Sequence, residues 1–421
     1  MSLPPPAPAT LTVPTAGPRP AATPGVLVLI LSALLGVQPI TTDLYLPALP
    51  GLARELESPL GLAQLTLSAL ILAFGCSQLL IGPLADRLGR RSVLAGGLVL
   101  YAAAAAASAA SDSMRTLIAC RALQGVGLAA AVVCARAMVR DLYRPADGAR
   151  VMSHALTGLG LLALASPVVG GLVAAALGWR AALAATGVVA VATLALLLAR
   201  VPETLATPNP RALQPGPLLA TWARMLRHPV FIAWALLVTC TYAGLYTYLA
   251  GSAFIFIDAL GLSRSGYGLV LAGSSLSYIA GTFWCRRLLL RHGLAGAVRR
   301  GALVTGAAGV ALAVSAFAGW AHPIAVVLPQ AVFAFGHGVH QPCAQAAVAG
   351  PFPQHAGTAS ALSGFIMSLV AFGIGAWLGV ALDGTLAPFL LTMATACGLT
   401  ALVGVTLVQW HGEPRRDDPA A

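Results

Sequence analysis

One carboxylate lies inside a long apolar stretch of this sequence. It is Asp43, near the end of the stretch 26–46, in the run Thr42-Asp43-Leu44-Tyr45. A charged side chain at membrane depth is costly, and acidic residues found there often relay protons in pumps and transporters. Asp43 is therefore the candidate residue for moving a proton.

A second charge, Arg121, also falls inside an apolar stretch. It lies roughly six residues, or ~9 Å of helix rise, inside the outer end of that stretch. A buried guanidinium needs a partner, and we expect Asp43 at a comparable depth. The two side chains are expected to communicate, directly or through water, so that Arg121 favours ionised Asp43 in one state and releases it in another. A static buried pair, or a polar side chain reaching the outer membrane surface, is the alternative.

The composition places both charges in a membrane. Apolar residues make up 58% of the chain and charged residues 9%, with a mean hydropathy of +0.85, whereas soluble domains contain about 25% charged residues. Stretches long enough to cross a ~30 Å hydrocarbon core as helices recur along the chain, and they lack the alternation of transmembrane strands. The sequence thus predicts an all-α membrane protein. Its twelve predicted spans are 26–46, 62–83, 92–111, 116–138, 152–176, 180–200, 230–257, 268–288, 300–319, 323–348, 358–380 and 386–409.

The arginines predict the orientation of these spans. All 24 basic residues are arginines, and alternate connections are rich in them: 84–91, 136–150, 200–229 and 286–300 hold three, four, four and five. We name the ends of the helices at these connections the arginine-rich face and the opposite ends the arginine-poor face. Positive charge concentrates in cytoplasmic loops, so both termini are expected in the cytoplasm.

The proline-rich connection 201–229 separates six spans from six. The predicted organisation is a disordered cytoplasmic tail at 1–25, a six-helix bundle at 26–200, a linker at 201–229, a second six-helix bundle at 230–409 and a cytoplasmic tail at 410–421. Two equal bundles joined in this way indicate pseudo-symmetric parallel repeats. The substrate site is then expected between them, near the midplane.

Several other classes of function are disfavoured. The sequence contains no nucleophile elbow, zinc signature or phosphate-binding loop, so neither an enzyme nor a cofactor is expected. A nucleic-acid footprint would need basic residues clustered on one soluble domain. The seven cysteines are scattered without CxxC spacing and are interpreted as small apolar packing residues, with no metal site.

Two histidines share one face of the tenth span. His337 and His340 are three residues apart. The favoured interpretation is a hydrogen-bonded pair in the core, with proton relay and metal ligation as alternatives. The surrounding run Gly336 to Pro342 predicts a helix break near the midplane.

The connection after the second span carries a family motif. It reads Gly82-Pro83-Leu84-Ala85-Asp86-Arg87-Leu88-Gly89-Arg90-Arg91. This Gly-x-x-x-Asp-Arg-x-Gly-Arg-Arg pattern resembles the loop found in the major facilitator superfamily. A merely cytoplasmic loop would explain the arginines but not the spacing of glycine and aspartate. The resemblance implies a cytoplasmic gate held by ion pairs of Asp86, Arg87, Arg90 and Arg91.

Two further segments resemble proton-coupled members of that superfamily. Span four contains Arg121-Ala122-Leu123-Gln124-Gly125, and span five contains Ser166-Pro167-Val168-Val169-Gly170-Gly171. The latter is similar to an antiporter motif in which small residues and a Gly-Pro break let helices pack closely and rock, although Ser166 replaces the glycine. The candidate packing residues are Gly125, Pro167, Gly170 and Gly171.

From 26 to 409 the chain resembles the twelve-span Bcr/CflA-type drug-resistance group. The most specific matches are Asp43 to Pro50, Val139 to Tyr143, and Tyr242 to Leu245; Val201 to Leu205 also recurs in drug:proton antiporters. The resemblance implies that Arg90 pairs with Asp141 and keeps the cytoplasmic side closed in the outward-facing state. Exposed ion pairs contribute little, so this role requires partial burial.

The substrate cavity is less defined by the sequence. Midspan aromatic and polar residues could line a largely apolar pocket, although lipid-facing or packing roles are equally open: Gln38, Tyr242, Tyr246, Tyr278 and Phe365. Tyr45 and Tyr248 are interpreted as residues of the membrane-interface belt.

These features together predict proton-driven efflux of small amphiphilic drugs across the cell inner membrane by alternating access. The expected partners are a small-molecule substrate, protons and the lipid bilayer, and the protein is expected to be a monomer. A proton-coupled symporter or a uniporter for a small metabolite is the alternative on the same fold.

Overall fold

The fold is described from a computed structural model that covers residues 24–143, 145–210, 212–352 and 355–412. Most of the predicted tails, 1–23 and 413–421, lie outside these residues. The described chain is mainly helical and contains no strand, so the predicted all-α class is confirmed.

The first half begins with a broken helix. Pro47 cannot supply a backbone donor, and α1 stops at Asp43, before a 3-10 turn at Leu46–Ala48. Gly89, with φ 97°, separates the third and fourth helices at the arginine-rich face. The helices of this half are α1 Pro24–Asp43, α2 Leu49–Glu55, α3 Leu60–Leu88, α4 Arg90–Ala109, α5 Met114–Leu142, α6 Pro145–Ala176 and α7 Gly178–Arg200.

The linker contains one short helix, α8, and the second half follows. The linker helix is α8 Pro215–Met225. The helices of the second half are α9 Pro229–Ala253, α10 Arg264–Phe317, α11 Pro323–Ala347, α12 Ala356–Ala381, α13 Ala387–Val405 and α14 Leu407–His411, with a π-helical turn at Phe254–Ala259. Eleven described segments are long and apolar enough to cross a membrane. The longest, α10, covers two of the predicted spans. The two are separated by a kink at Gly293, whose backbone is not helical (φ 66°, ψ −173°).

The halves meet along two pairs of helices. Within the first half α5 packs against α3 and α4, and α1 packs against α6. Within the second half α10 packs against α11 and α13. Across the seam α3 packs against α12 and α6 against α10. The 3-10 turn that follows α1 also contacts α9 and α10, so the seam runs past the end of α1, where Asp43 lies.

The predicted break in span ten is wrong. Helix α11 is continuous through Gly336, Gly338 and Pro342. The glycines serve close packing instead: a Cβ at Gly336 would overlap the hydroxyl of Thr305, and one at Gly338 would overlap the carbonyl of Tyr278. Small residues at such positions let membrane helices approach closely.

Candidate transport site

Asp43 is the last residue of α1 and is half-buried. The hydroxyl of Thr42 donates to its Oδ1 at 2.6 Å. Among the residues that the structure describes, no arginine or histidine pairs with this carboxylate. It lies within electrostatic reach of the hydroxyls of Tyr242 in α9 and Tyr267 in α10. Asp43 thus belongs to the first half and acts on side chains of the second.

Arg121 is fully buried but does not touch Asp43 directly. Its Nη1 donates to Oε1 of Gln124 at 2.8 Å and its Nη2 to the carbonyl oxygen of Thr41 at 3.0 Å. Its guanidinium also lies 4.6 Å from the ring centroid of Tyr45. The last carbonyls of a helix have no partner within the helix, and Arg121 satisfies one of them. The structure therefore connects Arg121 to the end of α1 rather than to the carboxylate.

Further hydrogen bonds hold this helix end. The hydroxyls of Thr41 and Tyr101 are 2.5 Å apart, which joins α1 to α4. The amide of Gln124 reaches Oγ1 of Thr186 in α7 at 3.4 Å. The position of Asp43 is consequently set by a network through four helices of the first half.

The interpretation of Tyr45 and Tyr248 as interface-belt residues is wrong. Both side chains are buried. The break after α1 turns Tyr45 inward, where its hydroxyl bonds to Thr66. Tyr248 accepts a hydrogen bond from Ser274 at 3.1 Å. Each phenol thus has a polar partner inside the protein, as buried tyrosines usually do.

The span-five segment packs closely against the residue after α1 and, across the seam, against α10. A Cβ at Gly170 would overlap the carbonyl of Leu44, next to Asp43, and one at Gly171 would lie 2.7 Å from the carbonyl oxygen of Arg264. A Cβ at Gly268 in α10 would likewise lie 2.6 Å from the carbonyl oxygen of Pro167. The motif's Gly-Pro break does not interrupt the helix in this chain, where Ser166 replaces the glycine and α6 continues through Pro167. Small residues here bring α6 against both α1 and α10.

Gly125 has a comparable place within the first half. A Cβ at this position would overlap the backbone of α3 at Leu70. The glycine that follows Arg121 and Gln124 therefore lets α5 approach α3 closely.

At the arginine-rich face, Arg90 forms the contact that the resemblance implies. Its Nε lies 3.1 Å from Oδ2 of Asp141, and its guanidinium also pairs with Asp86. The side chains of Arg90 and Asp141 are only 9% and 21% exposed, which meets the burial that the predicted role requires. Arg87 lies exposed in the last turn of α3.

Glu203 completes this cluster, and the sequence did not single it out as a ligand. Its two carboxylate oxygens accept from the backbone nitrogens of Arg90 and Arg91 at 2.8 and 3.1 Å. A carboxylate at a helix N-terminus satisfies free donors and interacts favourably with the helix dipole. Thr204 adds a hydrogen bond to Asp141 at 3.3 Å. The signal that could have identified Glu203 is its place in the recurrent Val201 to Leu205 segment.

The predicted cavity residues do not form one group. Tyr242 and Tyr246 are neighbours, with ring centroids 6.4 Å apart, whereas Tyr278 packs on His337 inside the second half. Tyr246 donates to Ser68 of α3 at 2.8 Å, across the seam. Gln38 and Phe365 are half-buried, in α1 and α12.

The two histidines have separate hydroxyl partners. His337 lies 2.8 Å from Oγ1 of Thr241, and His340 lies 3.2 Å from Oγ1 of Thr305. Over the described parts of the chain, no three His, Cys, Asp or Glu side chains converge as a metal site would require. The arrangement agrees with hydrogen-bonded core residues.

Polar contacts also join the halves at the arginine-poor face. Arg54 pairs with Asp258 at 2.8 Å. Arg264 reaches across from α10 and donates to the carbonyl of Ala174, at the end of α6, at 2.5 Å. These contacts hold the two halves together at the arginine-poor face.

Paired bundles of apolar helices with a carboxylate at their seam define a membrane transporter. The chain belongs to the Major Facilitator Superfamily, whose family model matches residues 31–376. It is 27% identical to multidrug resistance protein D of Escherichia coli, over 92% of this chain and 98% of that protein. It is 31% identical to a chloramphenicol resistance protein of Pseudomonas aeruginosa, over 66% of each. A bicyclomycin resistance protein homolog of Haemophilus influenzae is 24% identical, over 90% of this chain and 94% of that protein.

Solved structures show the same fold. A D-xylose-proton symporter superposes with a TM-score of 0.70 at 16% identity, over 92% of this chain and 98% of that one. The predicted membership of the superfamily, and the resemblance to its drug-resistance group, are confirmed.

Proposed function

We propose that this protein exports small amphiphilic drugs in exchange for protons, by alternating access across the cell inner membrane, with both termini in the cytoplasm. The drug-resistance relatives support the substrate class, and the arginine distribution supports the orientation. The observation that carries proton coupling is the position of Asp43, at the seam between the halves with a hydroxyl as its described partner.

An ionised carboxylate at this depth is costly unless something neutralises it. A proton does so, and so does a cationic group on a substrate. Competition between the two for Asp43 is the minimum coupling that antiport needs, because a ligand shifts a two-state carrier only by its differential affinity for the two states.

Arg121 acts on Asp43 through the C-terminal end of α1. Its bond to the carbonyl of Thr41 fixes the last turn of α1, which carries Asp43. A rearrangement of that turn moves the carboxylate relative to Tyr242 and Tyr267. Proton binding and the packing of α1 are thereby linked without a direct ion pair.

The rocking motion takes place at the α6 seam. Gly171 leaves no side chain between α6 and α10, so these two surfaces can slide. The cluster of Arg90, Asp141 and Glu203 joins the ends of α3, α4 and α5 to the start of the linker and keeps them together as one body. If Asp141→Asn changed neither transport nor the distribution of conformers, a gating role for this cluster would be excluded.

The test uses inside-out membrane vesicles from a pump-deficient host, with an imposed pH gradient that is acidic inside. A panel of antibiotics and cationic dyes is added outside. Antiport predicts that a transported drug collapses the gradient, whereas a symporter would not release protons when substrate is added on that side. Asp43→Asn is expected to abolish the drug-dependent collapse and Asp43→Glu to retain part of it. Full proton-driven activity of Asp43→Asn would refute the assignment of Asp43.

A further inference from the structure

A cavity of about 610 Å³ opens at the arginine-poor face, on the seam between the two halves. Its walls come from the connection between α2 and α3 in the first half, and from the π-helical turn after α9 and the connection between α12 and α13 in the second. Asp43, Arg121 and the five candidate cavity residues do not line it. It is therefore separate from the site described above.

The lining combines apolar side chains with a charged rim. Leu60, Phe254 and Leu382 provide apolar surface from both halves. Arg54 and Asp258 form an ion pair across the cavity wall. Glu57 adds a further carboxylate that has no ion-pair partner among the described residues. The rim thus has an excess of negative charge over an apolar interior.

The backbone of this rim is unusual in two places. Glu57 has φ 46° and is the one non-glycine residue with positive φ in the described chain. Asp258 belongs to the π-helical turn Phe254–Ala259. Strained residues and π-helical turns are concentrated at functional sites, and here they place the two carboxylates at the rim.

We propose that this cavity binds a lipophilic organic cation, and that binding favours the arrangement closed at the arginine-poor face. The apolar walls match the hydrophobic groups of such a ligand, and Glu57 matches its charge. The walls separate when the halves part at this face. A ligand that contacts both halves consequently binds the closed arrangement more tightly and shifts the population toward it.

The test measures binding of tetraphenylphosphonium to purified, full-length protein that carries Asp43→Asn. This background removes the carboxylate of the proposed transport site, so the result does not depend on drug export. Glu57→Asn removes the rim charge, and Glu57→Asp keeps it; both residues tolerate positive φ better than most. Ala259→Trp fills the cavity from an exposed position.

Saturable binding is expected in the Asp43→Asn protein. Glu57→Asn and Ala259→Trp are each expected to weaken it at least about fivefold, and Glu57→Asp less than about twofold, as for loss or retention of one partly screened charge contact. Absence of binding in the Asp43→Asn protein, or an affinity in the Glu57→Asn or Ala259→Trp variant equal to that of the Asp43→Asn background, would overturn the site.

The effect on conformation has its own readout. Spin labels at Asp112→Cys and Trp320→Cys report the separation of the halves at the arginine-poor face, in protein whose exposed Cys76 is replaced by serine. Tetraphenylphosphonium is expected to enrich the shorter distance with Asp43→Asn, but not when Glu57→Asn is added. An unchanged distance distribution at saturating probe would overturn the conformational part of the proposal.

Discussion

The guanidinium of Arg121 donates to the main-chain carbonyl of Thr41 at 3.0 Å, in the last turn of α1, which also carries Asp43. The buried cation of α5 is thereby a cap on the C-terminal end of α1. Cations are favourable at helix C-termini, and this one also binds Gln124 and covers the ring of Tyr45. Arg121 and Asp43, the two charged residues inside the apolar spans, are thus connected through the main chain of α1 between Thr41 and Asp43.

This relationship makes the shape of the guanidinium important as well as its charge. Arg121→Lys keeps the charge but cannot hold Gln124 and Thr41 together, because an ammonium lacks the planar fork. We expect drug-dependent proton release to fall about tenfold or more, as for loss of about 1.4 kcal/mol of coupling. The measurement is the vesicle pH assay. Arg115→Lys, at an exposed arginine of the arginine-poor face, is the control and should behave as the unmodified protein.

The close packing of α6 against the end of α1 predicts a steric effect. Gly170→Ala places a methyl group against the carbonyl of Leu44, which is backbone and cannot move aside. Overpacking of this kind costs about 1–3 kcal/mol, so we expect a lower melting temperature and impaired transport. Gly160→Ala lies in the same helix with no heavy atom within 4 Å of the added carbon. Equal behaviour of the two variants would contradict a packing role for Gly170.

Glu203 is expected to stabilise the start of α4. Glu203→Gln keeps acceptor capacity but removes the charge next to the helix N-terminus, so it should lower the free energy of unfolding by about 0.5–2 kcal/mol. Thermal unfolding in detergent measures this. Glu57→Gln, at an exposed carboxylate in the connection between α2 and α3, serves as the matched charge removal and should leave the melting temperature unchanged.

Tyr246 is expected to hold the halves together. Its hydrogen bond to Ser68 crosses the seam, and a hydrogen bond of this kind contributes about 1 kcal/mol. Tyr246→Phe should therefore shift the conformer ratio about fivefold away from the arrangement closed at the arginine-poor face. Distances between spin labels on the two halves report that ratio.

Two further variants isolate that contact. Ser68→Ala should have the same effect as Tyr246→Phe, and the double variant should add little to either. Tyr248→Phe removes a hydroxyl whose partner, Ser274, lies in the same half, so it should not change the ratio. Additive effects of the first two variants would show that the hydrogen bond does not hold the seam.

The membrane helices, and the charged residues inside them, could be predicted from the sequence. Backbone polar groups in a bilayer must be satisfied within the segment, so a long apolar stretch has one solution, a helix. The positions of Asp43 and Arg121 inside such stretches follow directly. The contact between Arg90 and Asp141 was predicted from the family resemblance. Both residues lie at helix ends on the arginine-rich face.

The hydrogen-bond partners of these and other buried side chains depend on tertiary packing and could not be predicted. Arg121 binds the carbonyl of Thr41, Tyr45 turns inward, Glu203 caps α4, and Tyr246 crosses to Ser68. Each contact joins helices that are distant in the chain, and it depends on how closely glycines let those helices approach. Periodicity fixes which residues share a face, but not which neighbour that face meets. The sequence therefore identifies Asp43 and Arg121 as charged residues within apolar helices. The packing of α1, α5 and α6 determines which groups surround them.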